Sequence, residues 1–256
     1  MIQDSAPSFG FGRCTCITLA ALVFGTLSAS SQTLRATFTR NCSQDQRGPV
    51  ADRPLPVDTG SDSAQTDAGI RVTDTLIRSL RNEAFPELVS VDLQVHSFRS
   101  NSDYFRTRFS IFRFVLFMRM RYFVEVNPAL LQLQAPSDGV CAILAHELAH
   151  VVSLSHGNRI RRFGLVQLLS RRRTAEFERR TDLEAIHRGY GDGLKNYRGW
   201  VYTHVPASKL QAKLSNYFSP EEISAIQAKL RERPEIFTYW TRHVPANLRE
   251  IENSPR

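Results

Sequence analysis

Methionine is rare in this 256-residue chain and absent after position 120, lysine is scarce, and no apolar run is long enough to span a membrane. Each shortage excludes something. With Met1, Met118 and Met120 all in the first half, none is left to form a methionine turn beneath a site built further on. The one long apolar run, from Cys14 to Leu27, falls short of the ~20 residues that cross a bilayer as a helix, which argues against a multi-span membrane protein. Cysteine is limited to four, and two of these, Cys14 and Cys16, lie in that run. If the run is removed, Cys42 and Cys141 remain: they pair in an oxidising compartment, or Cys141 is a small buried hydrophobe. Lysine supplies only four of the 33 basic side chains, at 195, 209, 213 and 229, so the positive charge is almost all arginine.

What is present is an excess of charge of one sign, with a formal net value of +8. The clusters Arg161-Arg162, Arg171-Arg172-Arg173 and Arg179-Arg180 form either a basic face for an anionic envelope surface or an ordinary solvated one. No nucleic-acid-binding motif accompanies the charge, so nucleic acid is not an expected partner. At the N-terminus, Arg13 precedes the apolar run and Leu27-Ser28-Ala29 offers small residues for cleavage, so residues 1–29 read as an export signal. The expected location is periplasmic or secreted, with a single N-terminal anchor if the signal is kept. Residues 30–68 are rich in Ser, Asp, Gln, Thr and Pro and read as a disordered linker or propeptide. Residues 69–256 hold the domain.

Within that domain, Val72, Leu76, Ile77 and Leu80 recur at helical spacing, which predicts a helix over 69–84 ended by Pro86. Alternation of Val89, Val91, Leu93 and Val95 predicts a strand over 88–98. Residues 104–116 satisfy both periods, with Phe105, Phe109 and Phe112 at helical spacing and arginines alternating between them. A short strand is expected over 122–126, and helices over 140–154, 159–169 and 174–187. The run from Gly189 to Gly193 predicts a sharp turn. Ser219-Pro220-Glu221-Glu222 is a helix start, with serine as N-cap and acid in the first turn. Residues 200–204 and 239–243 read as aromatic loops. The fold class is α+β, mostly helical, with a small sheet beside the helix over 140–154.

That helix carries the chemistry. In His146-Glu147-Leu148-Ala149-His150 the two histidines are four apart, on one helical face, where both imidazoles can reach one metal ion. Glu147, beside the first ligand, stands where a general base for a metal-activated water belongs. Cys141, Ile143, Leu144, Leu148, Val151 and Val152 make the helix apolar on most sides, and buried histidines of this kind need partners that a metal provides. A catalytic zinc takes three protein ligands. His156 has the spacing of the longer motif H-E-x-x-H-x-x-G-x-x-H, but Ser153 stands in its glycine slot and no methionine follows. Glu178 and Asp182 are the second candidates: four apart on the 174–187 helix, they face one way, Glu178 toward the metal and Asp182 toward the outer nitrogen of a ligand histidine.

His146–His150 followed by Glu178-Arg179-Arg180-Thr181-Asp182 resembles the HExxH and ExxxD arrangement of the gluzincin zinc metallopeptidases, closest to their Ste24/HtpX-like group. The lead-ins Asn127-Pro128-Ala129-Leu130-Leu131 and Ser137-Asp138-Gly139 are similar too, and the resemblance spans residues 120–190. It implies a zincin-like fold, Zn2+ on His146, His150 and Glu178, Glu147 as base and acid, and Asp182 orienting a ligand. Arg242-His243-Val244-Pro245 with Arg249 echoes the group's late histidine–proline segment at a different spacing, which leaves the oxyanion-stabilising donor open among His187, Tyr190, Tyr202, His204 and His243. The expected activity is zinc-dependent endopeptidase hydrolysis of a peptide or protein substrate, with an edge strand binding it by strand addition. Two other readings stand beside it. One is an envelope-binding or scaffold protein with a structural or vestigial zinc site, and the other a zinc amidase acting on a non-peptide wall substrate.

Overall fold

The computed structural model describes residues 62–156 and 171–255. The expected export signal, residues 30–61 of the linker, Cys42 and the helix expected over 159–169 lie outside these. The described chain is α+β, mostly helical with one three-stranded sheet. In chain order its elements are α1 (Asp62–Glu83), a 3-10 turn (Pro86–Leu88), β1 (Asp92–Ser97), β2 (Phe105–Phe109), α2 (Ile111–Val115), β3 (Arg121–Val126), α3 (Ala129–Gln132) and α4 (Ser137–His156). Then follow α5 (Arg171–Ala185), a π turn (Ile186–Tyr190), α6 (Gly191–His204), α7 (Ala207–Asn216), α8 (Pro220–Glu232), α9 (Ile236–Trp240) and α10 (Leu248–Glu252). Among the described residues no helix is long and apolar enough to cross a membrane.

Helix α1 begins at Asp62, so the last seven residues of the expected linker are helical. Leu76, Ile77 and Leu80 face the core from it. Arg81 then ties the helix end to the sheet by donating to the carbonyls of Val89 at 2.8 Å and Val91 at 3.0 Å. Pro86 starts a 3-10 turn, which delays the expected strand to Asp92. The ambiguous 104–116 segment is both things it resembled: it divides at Ser110, whose side chain accepts from the Arg113 N–H and starts α2 after β2 has ended.

The strand order is β1-β3-β2, with β1 parallel and β2 antiparallel to the central β3. Tyr122, Val124 and Val126 of β3 point into the core against α4, because successive strand residues face opposite sides. Thr107 of β2 pairs with Val124 and shares that inner face. The outer face carries Arg106 and Arg108 beside Glu125. The Tyr122 hydroxyl donates to the Leu154 carbonyl at 3.2 Å, pinning β3 to the end of α4.

Nearly every residue of α4 from Val140 to Val151 is buried. Cys141 on this helix is disulfide-bonded. Helix α6 packs antiparallel on α4 through two glycines. A Cβ on Gly139 would sit 3.1 Å from the Tyr197 Cβ, and one on Gly193 would sit 2.4 Å from the Asp138 carbonyl oxygen. At Gly189 the backbone takes φ 94°, a conformation glycine alone adopts freely, and the kink divides α5 from α6 as the glycine run predicted. Residues 200–204 are the last turn of α6, so that expected loop is helical, whereas of 239–243 only Tyr239 and Trp240 belong to α9 and the rest turn away from it. The predicted N-cap at Ser219 is a full capping box with Glu222.

Gly193→Ala separates two opposed effects. Alanine is favoured over glycine in a helix by about 1 kcal/mol, yet the backbone oxygen of Asp138 cannot yield the space a Cβ needs. Overpacking of this kind costs about 1–3 kcal/mol. Chemical denaturation should show a net loss of stability. A variant more stable than wild type would mean that α6 moves off α4 freely.

Candidate metal centre

Three side chains converge where α4 and α5 face each other. His146 Nε2 and His150 Nε2 each lie 3.2 Å from Glu178 Oε2, and the three donor atoms all fall within 4.8 Å of one another. The sequence accounts for this locally. A four-residue step puts both imidazoles on one face of α4, and Glu178 approaches from the neighbouring helix. Donors held about 2.0–2.1 Å from a shared tetrahedral ion lie roughly 3.3–3.4 Å apart, so both nitrogen–oxygen spacings suit such an ion. His146 is 2% exposed and His150 7%, so the donors are walled from bulk water except on the side of Glu178.

The outer ring nitrogens are fixed as well. Asp182 Oδ1 stands 2.7 Å from His146 Nδ1, and Thr181 Oγ1 stands 3.2 Å from His150 Nδ1. The Thr181 hydroxyl also donates to the Phe177 carbonyl at 2.9 Å, and the Phe177 ring stacks on His150 at 4.8 Å between centroids. Carboxylate contact at Nδ1 fixes ring orientation and leaves Nε2 turned to the metal. Thr181 was not singled out by its sequence, although it belongs to the same short helical segment.

Asp182 is itself fully buried. Burial would raise its pKa, but the Arg198 guanidinium at 2.8 Å, His146 and the Phe218 N–H at 3.2 Å outweigh burial and hold it below the usual carboxylate range. Burial likewise works to raise Glu178, and the two histidines override it and hold it low. For His146, burial favours the neutral ring, while Asp182 and Glu178 favour the cation and push the pKa up to about 9.

Glu147 is 5% exposed and its carboxylate is held from the sheet. Thr107 Oγ1 on β2 lies 2.7 Å from Glu147 Oε2 and 3.0 Å from the Glu147 carbonyl oxygen. Strand β2 is a sheet edge, so the edge beside the metal helix, left open by the sequence, is this one. Tyr217, in the link between α7 and α8, lies 5.9 Å from His146 between ring centroids, with Arg198 stacked 4.1 Å over its ring. Burial first, then the carboxylates of Glu178 and Glu147, push its pKa well above the usual tyrosine value against the pull of Arg198. The phenol therefore stays protonated and can donate.

The other expected positions are placed elsewhere. His156 is exposed at the end of α4, its Nδ1 3.1 Å from the Val152 carbonyl, and is not part of the donor cluster. His187 stacks on Phe237, His204 on Trp200 and His243 on Tyr239. The hydroxyls of Tyr190 and Tyr202 are buried without a hydrogen-bond partner. Arg179, expected on a basic surface, is 7% exposed and reaches Glu222 at 3.2 Å and the Pro245 carbonyl at 3.4 Å.

A metal must displace the proton from His146, since only the neutral ring can coordinate. In the metal-free protein that proton is held up to about pH 9. Metal affinity, measured by competition with a chelator, should therefore fall about tenfold per pH unit below that value for one displaced proton. Affinity flat across this range would mean that His146 is neutral before metal arrives. No protein-family model, curated protein or solved structure matches the chain, so the reading of the centre rests on its geometry.

Proposed function

We propose that the protein is an exported zinc-dependent endopeptidase with a gluzincin-like, zincin-type domain, and that His146, His150 and Glu178 hold the metal. The observation that carries this reading is Glu147. A purely structural site has no use for a carboxylate beside its ligands, yet here one is buried and oriented by the Thr107 hydroxyl at 2.7 Å. Zinc bound to two histidines and a glutamate would supply Lewis acidity and lower the pKa of a water toward neutrality. The chain's own groups do the rest. Glu147 takes the proton from the attacking water and returns it to the leaving amine. Strand β2 offers its outer backbone groups to an extended peptide, in register with the base that Thr107 positions. Tyr217 donates to the oxygen on which charge develops, a role for which a protonated phenol is suited.

The ExxxD arrangement implied by the gluzincin resemblance supports the assignment, since Glu178 and Asp182 stand on one helix and serve two faces of His146.

Glu147→Gln tests the mechanism. Proteolysis of an unfolded protein substrate should disappear while metal content, by elemental analysis, stays at the wild-type level. Hydrolysis surviving in a clean preparation would overturn the role of Glu147. A metal-loaded wild type that cleaves no peptide would overturn the peptidase reading itself. Tyr217→Phe should retain metal and leave KM nearly unchanged, while kcat falls by about 10²–10³ as when one oxyanion donor is removed. An unchanged kcat would remove Tyr217 from the mechanism.

A further inference from the structure

The connection between β2 and β3 exposes apolar surface out of proportion to its length. Of the eleven large hydrophobic side chains exposed among the described residues, six lie between 111 and 118: Ile111, Phe112, Val115, Leu116, Phe117 and Met118. Phe117 is 78% exposed and Phe112 69%. Together six such side chains present on the order of several hundred Å², as much as the largest functional patch of a typical soluble monomer.

The tip is a folded element. The Ser110 N–H donates to the Arg121 carbonyl at 2.9 Å, Ser110 caps α2, and Phe117 at φ 55° turns the chain back toward β3. Arg119 donates to the Ser90 carbonyl at 2.5 Å, and Arg113 to the Arg119 carbonyl at 3.3 Å. These backbone and arginine bonds give the tip a defined shape, on which the six apolar side chains are exposed.

Charge identifies the occupant. Between Asp103 and Glu125 the chain has no acidic residue and five arginines, at 106, 108, 113, 119 and 121. Three of them turn to carboxylates, Arg106 and Arg108 to Glu125 and Arg121 to Asp92. Arg113 and Arg119 bond backbone carbonyls, and among the described residues no carboxylate pairs with either at the base of the apolar crown. A second copy of the chain would bring these same cations together in an isologous contact. An acyl boundary beneath anionic headgroups instead satisfies both the apolar crown and the collar.

We propose that the tip formed by residues 110–121 docks the protein on an anionic lipid bilayer, with Phe112 and Phe117 entering the acyl boundary and Arg113 and Arg119 meeting the headgroup phosphates. The docking stands whether or not the metal centre hydrolyses peptides. It also sets the centre's position: Thr107 lies four residues before Ile111, so the base held by Thr107 rides within about 15 Å of the headgroups.

The test uses the full chain and vesicles of phosphatidylcholine with or without phosphatidylglycerol. Phe117→Trp adds a local reporter to Trp200 and Trp240. Its extra emission should shift to the blue and be quenched by brominated phospholipid in the anionic vesicles, less so as salt is raised. Phe112→Ser/Phe117→Ser should weaken vesicle binding by roughly tenfold per phenylalanine removed, with metal content and melting temperature unchanged. Absence of extra quenching, as when another segment alone holds the membrane, overturns the proposal. So does equal quenching in pure phosphatidylcholine, which removes the anionic requirement. A dimer that the double serine variant dissociates, without vesicle binding, assigns the tip to a second copy instead.

Discussion

Asp182 is a carboxylate with no exposure to solvent, and three other pieces of the fold meet on its two oxygens. His146 of α4 and Arg198 of α6 reach Oδ1 at 2.7 and 2.8 Å, and the Phe218 N–H reaches Oδ2 at 3.2 Å from the link between α7 and α8. Burying an ion without partners costs several kcal/mol, so these contacts are a condition of α5 packing where it does. The same contacts decide how the centre is shaped. They turn the His146 ring so that Nε2 faces Glu178, and they anchor the residue next to Tyr217. The bond that makes the interior tolerable is therefore the bond that aims the ligand.

Arginine serves the interior as much as the surface. Arg198 neutralises Asp182, and Arg179 braces α5 against α8 through Glu222 and Phe218. Arg188 joins Glu184 to Glu87 and covers the Phe85 ring. A planar guanidinium satisfies several acceptors in fixed directions, which an ammonium on a flexible stem does not. Part of the net charge is thus spent on internal struts. Other arginines stay at the surface, Arg71, Arg78 and Arg231 away from the tip and Arg119 beside its exposed phenylalanines.

Side chains that share a helix face are a local regularity, and so the candidate centre was legible: His146 with His150, and Glu178 with Asp182, each need only a spacing of four. Helices α1, α4, α5 and α8 were legible for the same reason. Thr107 and Tyr217 were not, because threonine and tyrosine carry no spacing signature and their roles come from contacts across forty residues or more of chain. The histidines named as candidate donors, His187, His204 and His243, each stack on another aromatic ring. An aromatic four residues from another on a helix stacks on it, as His204 does on Trp200 at 4.5 Å, and this was readable once 200–204 is taken as helix. The division at Ser110 lay hidden because phenylalanine and arginine alternated through both halves, so that strand and helix periods fitted equally.

The β2–β3 hairpin joins the two halves of the reading. Its inner face holds Glu147 through Thr107, its β2 strand is a sheet edge, and its far end is the apolar tip. A short antiparallel pair of strands is stiff along its length, and Tyr122 ties this one to the end of the metal helix at Leu154. A tip seated in lipid would therefore fix the orientation of the edge strand, and with it the direction from which an extended chain enters. Segments emerging from a bilayer surface would meet β2 first, already near the base, whereas a folded soluble protein would have to present an extended stretch at the same height. With the proposed activity and docking together, this arrangement would favour membrane-proximal segments by geometry.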